Sequence, residues 1–91
     1  EAARAQAREV AERVERAVER ASSAIAGLAT PRPSSLDATA AWLRGRVLSI
    51  KSWADGLEPF AALARVREAA DEVERTAEAL LVAAQGIGGR R

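Results

Sequence analysis

The chain has 91 residues, with 14 basic and 13 acidic side chains, a net charge of +1, and no cysteine, histidine or methionine. Without cysteine and histidine it cannot build a disulfide framework, a zinc finger or an imidazole acid–base catalyst. Of its hydrophobic residues, 23 are alanine and only 21 are large enough to form a core. This composition predicts one small domain made of long helices, with no metal site and no cofactor.

The first predicted helix covers residues 2–29. Its apolar residues recur at spacings of three and four, which is the period of one helix face. They are Ala3, Ala7, Val10, Val14, Val18, Ala21, Ile25 and Leu28. Gly27 and Pro31 are expected to mark its end. Because the stripe is narrow and rich in alanine, we expect the rest of this helix to face solvent.

Residues 30–35 form the predicted linker, because Pro31 and Pro33 hold the backbone extended. Ser34 is expected to cap the second helix, and Asp37 three residues later completes a weak capping box.

The second predicted helix covers residues 35–55. Its apolar stripe has spacings of four and three throughout and consists of Leu36, Ala40, Leu43, Val47, Ile50 and Ala54. Gly56 is predicted to adopt the left-handed conformation that commonly ends a helix. The short connection that follows predicts an antiparallel hairpin with the third helix.

The third predicted helix covers residues 59–86, with Pro59 at its first position. Its stripe consists of Leu63, Val66, Ala70, Val73, Ala77, Leu80 and Ala84. Gly86 is expected to cap it, with Ile87 folding back at the start of a tail over residues 87–91. The predicted fold is therefore all-α, a single up-down-up antiparallel three-helix bundle over residues 1–91.

The second helix carries further uncharged residues outside its core stripe. At 100° per residue, one flank holds Trp42, Arg46, Ser49 and Trp53, and another holds Ala41, Gly45, Leu48 and Ser52. A three-helix bundle cannot cover every side of one member. An interior glycine costs about 1 kcal/mol relative to alanine, so Gly45 indicates a close backbone approach. We predict a partner-binding surface made of Ala41, Trp42, Gly45, Arg46, Leu48, Ser49 and Trp53.

Two other interpretations of the tryptophans stay open at this point. In the first, both rings flank the core of their own bundle and Arg46 stacks on Trp42. In the second, the tryptophans and the neighbouring serines line a pocket for a small molecule.

Lys51 is a separate candidate because it is the only lysine and lies beside Ile50 and Ala54 at the edge of the core stripe. Partial burial would lower the pKa of its amine and favour Schiff-base chemistry. The alternative is a lysine whose stem covers apolar surface while its amine stays in water.

The remaining charges predict solvated surfaces. The third helix carries an acidic cluster, Glu68, Asp71, Glu72, Glu74 and Glu78, with Asp71 and Arg75 as a local ion pair. The arginines of the first helix are balanced by glutamates, so no nucleic-acid partner is predicted. The longest uncharged runs, residues 21–31 and 79–89, are far shorter than the roughly 20 residues that cross a bilayer.

Two segments, Glu9–Arg16 and Glu68–Arg75, combine alanine, valine, glutamate and arginine in the style of idealised helix surfaces. Over residues 1–28 and 60–84 the chain resembles computationally designed helical bundles, which implies a stable bundle and no particular activity. A GC-rich genome would also enrich alanine and arginine and deplete lysine.

These patterns predict a non-enzymatic structural or interaction bundle whose second helix binds a second copy of the chain or another protein. The alternative is a designed small-molecule binder or a Schiff-base catalyst at Lys51. The first residues alternate charge with alanine and lack the apolar core of a signal peptide, which predicts a cytoplasmic or recombinant protein.

Overall fold

Three helices make up the fold. The computed structural model describes residues 2–56 and 59–88, which form α1 (Ala2–Ala26), α2 (Ser34–Ala54) and α3 (Pro59–Gly88). Each helix packs against both of the others, and the most extensive packing lies between α1 and α3. The prediction of an all-α three-helix bundle is confirmed. Across the described ranges, no helix has the length and hydropathy that a bilayer crossing requires.

Polar contacts between α1 and α3 show that these two helices run parallel. Arg67 Nη2 donates to Gln6 Oε1 at 3.3 Å, and Arg13 Nη2 donates to Glu74 Oε1 at 2.8 Å. Both pairs have the same sequence separation of 61 residues. A constant separation is the mark of a parallel register.

Contacts between α1 and α2 run in the opposite sense. Arg8 Nε lies 3.1 Å from Asp55 Oδ1, and Lys51 Nζ lies 2.9 Å from Glu15 Oε2. As residue numbers rise along α1, those of the partners on α2 fall, so α2 is antiparallel to α1. Exposed ion pairs of this kind contribute about 0–1 kcal/mol to stability. These pairs therefore indicate the up-down-up arrangement but add little to its stability.

The core follows the predicted stripes closely. All six stripe residues of α2 are buried, and every buried residue in the described chain is hydrophobic. On α1, Ala11 is buried, whereas Val10 is only partly buried and packs against the core. On α3, Leu63 is likewise only partly buried. Half of the buried residues are alanine, and the side chains of Leu43 and Ile50 on α2 supply the largest fully buried volumes.

Where α2 begins, the structure corrects the predicted cap. The helix begins at Ser34 itself, its N-cap is Pro33, and no side chain caps it. The carboxylate of Asp37 accepts hydrogen bonds from Arg32, with Nε to Oδ2 at 3.1 Å and Nη2 to Oδ1 at 3.0 Å. The predicted capping box is wrong because Asp37 pairs with the linker arginine and Ser34 already lies inside the helix.

The predicted glycine caps are also wrong. No glycine among the described residues has a positive φ, and the Gly56 amide simply donates to the Trp53 carbonyl at 3.0 Å. At the other end, α3 runs through Gly86 to Gly88, so Ile87 is helical and does not fold back. Near that end, Leu28 lies close to Gly88, beyond the last residue of α1 at Ala26. Residues 89–91 of the predicted tail lie outside the described residues.

Candidate partner-binding site

The side of α2 opposite its buried stripe faces solvent without a charged residue. We call this surface the α2 outer face, and it consists of Ala38, Ala41, Trp42, Gly45, Leu48, Ser49 and Ser52. Leu48 is 69% exposed and Trp42 is 45% exposed, so two of the four exposed large apolar side chains among the described residues lie on this face, and the other two are Val82 and Ile87 of α3. Ser49 is half-buried, and the other members are exposed.

Gly45 lies at the centre of the α2 outer face. A Cβ atom added there would meet no atom within 4 Å, because the residue faces open space. The close approach predicted from this glycine is therefore not made inside the bundle. Beside it, Ser49 Oγ donates to the Gly45 carbonyl at 3.3 Å, which turns the serine hydroxyl back onto its own helix.

Arginine side chains lie over both tryptophan rings at one edge of the outer face. The Cζ atom of Arg46 lies 6.0 Å from the centroid of Trp42 and 5.5 Å from that of Trp53. Arg65 of α3 also lies over Trp53, at 5.5 Å. We call these four residues the Trp–Arg cluster. Sequence patterns had placed Arg46 between the tryptophans but gave no indication of Arg65, whose position depends on the register between α2 and α3.

The two tryptophans have different surroundings. Trp53 is half-buried and packs against the hydrophobic core, whereas Trp42 is 45% exposed and is not among the residues that pack against it. The interpretation in which both rings flank the core is therefore correct for Trp53 and wrong for Trp42. Arg46 lies beside both, and its buried Nε finds no hydrogen-bond partner in the described chain. Its guanidinium group lies over the faces of both rings, as in other cation–π contacts.

A shallow groove of about 280 Å³ runs beside the Trp–Arg cluster between α2 and α3. Its lining consists of Arg46, Trp53, Arg65, Glu68, Ala69 and Glu72. Trp42 and the serines do not line it, so the pocket that sequence reasoning assigned to both tryptophans and the serines does not match this groove. Charged side chains dominate the walls, which differs from the mostly apolar lining of a typical small-molecule site.

The sequence predicts a lowered pKa for the Lys51 amine, and the structure contradicts this prediction. Its Nζ donates to Glu15 Oε2 at 2.9 Å, and the side chain is about half exposed. The hydrogen bond to Glu15, followed by the charges of Glu15, Glu19 and Glu12, raises the pKa of Lys51 above its ordinary 10.5. A raised pKa keeps the amine protonated at neutral pH, which is the opposite of what a Schiff-base nucleophile needs.

The acidic residues of α3 do not form the predicted local ion pair, and one of them contacts α1. Glu74 accepts two hydrogen bonds from Arg13 of α1, at 3.1 and 2.8 Å. Arg75 Nε donates to the backbone carbonyl of Asp71 at 3.2 Å instead of its carboxylate, so the predicted ion pair is wrong. Within the described residues, no group of three or more acidic side chains is placed to hold a metal ion.

The fold is an all-α three-helix bundle, and the α2 outer face is an uncharged surface on it. Comparison of the chain with family models, curated proteins and solved structures finds no match. The resemblance to designed bundles stays a prediction.

Proposed function

We propose that this chain is a non-catalytic interaction module that presents the α2 outer face to another protein chain. The observation that carries the proposal is the absence of charge from all seven residues of that face, which lies opposite the buried stripe of α2. A helix surface that only meets water is normally charged or strongly polar. An uncharged surface in that position is what a helix buried on both sides requires.

The solvent side of α1 supplies the comparison within the same molecule. Its exposed residues include Arg8, Glu9, Glu12 and Arg16, which carry charges of both signs. The solvent side of α1 therefore carries charged side chains, and the α2 outer face carries none. This contrast favours a specific role for the α2 outer face over a general tolerance of apolar residues at the surface.

Trp42 and Leu48 are the side chains that would supply most of the binding energy. Burial of one large apolar side chain contributes about 1.5–3 kcal/mol, and tryptophan is among the residues that most often dominate interfaces. Arg46 lies over the Trp42 ring. Because this contact already restricts the orientation of Trp42, less conformational entropy is lost when the ring binds a partner.

We do not extend the proposal to an amine catalyst, because Lys51 is paired with Glu15 and its pKa is raised. The grooves that adjoin α2 are shallow, and charged residues contribute to the lining of each, so no specific observation favours a small-molecule binder over an interaction surface.

Photo-crosslinking with matched positions tests the proposal. The photoreactive amino acid benzoylphenylalanine replaces Leu48 in one variant and Val82 of α3 in another, since these residues are 69% and 61% exposed. Each full chain is illuminated in the cells that produce it and after purification. We expect discrete protein adducts from position 48 and few from position 82.

Circular dichroism must first show that both variants keep the helical content of the unmodified chain. Equal adduct yields at the two positions, or no adduct at position 48, would contradict an interaction surface on α2.

A further inference from the structure

The residues of the α2 outer face are arranged symmetrically about Gly45. The two large side chains, Trp42 and Leu48, lie three positions before and after it. Small side chains lie four and seven positions away on both sides, and these are Ala41 and Ser49, then Ala38 and Ser52. In a two-fold dimer each copy contributes the same patch, which must complement itself. A symmetric pattern of large and small side chains meets this condition.

We propose that the occupant of the α2 outer face is a second copy of this chain, with the two α2 helices antiparallel across a two-fold axis at Gly45. The inference rests on the proposed function and names its partner. At 1.5 Å and 100° per residue, Trp42 and Leu48 lie about 4.5 Å from Gly45 along the helix, on opposite sides of it. The two-fold axis brings Trp42 over Ser49 of the second copy and Leu48 over its Ala41.

One pair of charges on the α1 side of α2 favours the antiparallel direction. Asp37 lies eight residues before Gly45, and Lys51 lies six residues after it. Both are exposed on the α1 side of the outer face. In the antiparallel dimer, Asp37 of one copy is about 3 Å from the level of Lys51 of the other along the helix axis. Opposite charges at matched levels strengthen the register set by Gly45.

The size of the surface predicts a weak dimer. The α2 helix is about 30 Å long, and the whole bundle measures 17 Å across its Cα atoms, which sets an upper limit on the width of the contact. The contact therefore covers at most about 500 Å² on each copy, or about 1,000 Å² in total, whereas stable interfaces begin at about 1,200 Å². We therefore expect the mass to rise from one chain to two as the protein is concentrated, and we use covalent trapping to detect the arrangement.

Disulfide trapping tests the arrangement, because the chain contains no cysteine. Ala38→Cys and Ser52→Cys each introduce one thiol seven residues from Gly45. In the antiparallel dimer, position 38 of one copy faces position 52 of the other, while identical positions lie about 21 Å apart along the axis. A disulfide requires Cα atoms within about 7 Å. An equimolar mixture of the two variants, tagged to differ in mass, is oxidised at high protein concentration.

The expected result is a mixed disulfide in large excess over both homodisulfides, since random collision would make it only half of the product. A mixture of Ser52→Cys with Val82→Cys is the control for collision and should give slow, statistical products. Predominance of homodisulfides would overturn the antiparallel arrangement and leave the interaction function intact. Trapping as slow as the Val82→Cys control would overturn the second copy as occupant. In that case, crosslinked adducts between position 48 and a different protein would still support the proposed function. Their absence would contradict both the proposed function and the dimer.

Discussion

Arg65 of α3 lies over the indole ring of Trp53 on α2, with its Cζ atom 5.5 Å from the ring centroid. This contact joins two helices at the point where Trp53 passes from the core to the surface. It also brings a second guanidinium group to a ring that already lies beside Arg46. The Trp–Arg cluster therefore has a structural role between α2 and α3 in addition to bordering the α2 outer face.

The contact between Arg65 and Trp53 should stabilise the bundle. We expect Arg65→Gln to lower the free energy of unfolding by about 0.5–1 kcal/mol, the usual size of a cation–π contact at a partly exposed site. A double-mutant cycle with Trp53→Leu, measured by urea unfolding, isolates the pairwise contribution. Arg75→Gln is the matched control, because Arg75 donates to a carbonyl of its own helix. A coupling energy of zero between positions 65 and 53 would refute the assignment.

The same substitution at two leucines should distinguish the buried side of α2 from its outer face by its effect on stability. Leu43 is fully buried, whereas Leu48 is 69% exposed on the same helix. We expect Leu43→Ala to cost about 2–5 kcal/mol, through lost burial and the remaining cavity. Leu48→Ala should change the stability of the monomer by less than about 0.5 kcal/mol. Unfolding in urea at dilute protein concentration measures both, and similar losses at the two sites would show that the described burial is incorrect.

The helical core was predictable because it depends on a short-range period. Leu36, Leu43 and Val47 repeat at helical spacing, and this repeat alone predicts which side of α2 is buried. The exposed positions of Trp42 and Leu48 follow from the same geometry, since a three-helix bundle covers only part of each helix. Periodicity therefore gave both the core and the place of the candidate surface.

Two of the errors arose where a contact comes from outside the helix concerned. Ser34 has the chemistry of an N-cap, but it lies inside the helix, and Asp37 pairs with Arg32 of the preceding linker. Lys51 lies at the edge of the stripe as expected, yet Glu15 of α1 reverses the direction of its pKa shift. The period of α2 predicts neither contact, because one partner lies in the linker and the other on a different helix.

Acid should weaken the contact at the start of α2. The hydrogen bonds from Arg32, together with the charges of Arg32 and Arg44, lower the pKa of Asp37 below its ordinary value of 3.8. The associated stability is present above pH 3.8 and is lost as the pH falls through the lower pKa of the folded state. We expect Asp37→Asn to reduce this acid loss, measured by urea unfolding across the pH range, and Asp71→Asn is the control for an exposed aspartate. A profile unchanged by Asp37→Asn would contradict the assignment.

The amine of Lys51 should become more reactive when its partner is removed. Because the hydrogen bond and charge of Glu15 raise the pKa of Lys51, they reduce the fraction of neutral amine at a given pH. We expect Glu15→Gln to speed acylation of Lys51 by an N-hydroxysuccinimide ester, followed at fixed mildly alkaline pH by peptide mass spectrometry. Glu9→Gln on the same helix is the control. Equal rates in both variants and the parent would mean that Glu15 does not control this amine.

Gly45 gives the prediction that best separates folding from association. A Cβ atom at this position would meet nothing within 4 Å in the single chain, so Gly45→Ala should stabilise the monomer by about 0.8–1.0 kcal/mol through helix propensity. In the antiparallel dimer the same Cβ lies on the two-fold axis, where it separates the helices and weakens association. Urea unfolding at low concentration measures the first effect, and sedimentation equilibrium at high concentration measures the second. We expect Gly45→Ala to raise the stability of the monomer and to weaken association. Alanine is the better helix former, so glycine is favoured at this position only if a second helix approaches it closely. A variant that gains stability and associates as tightly as the parent would show that Gly45 does not lie in the contact.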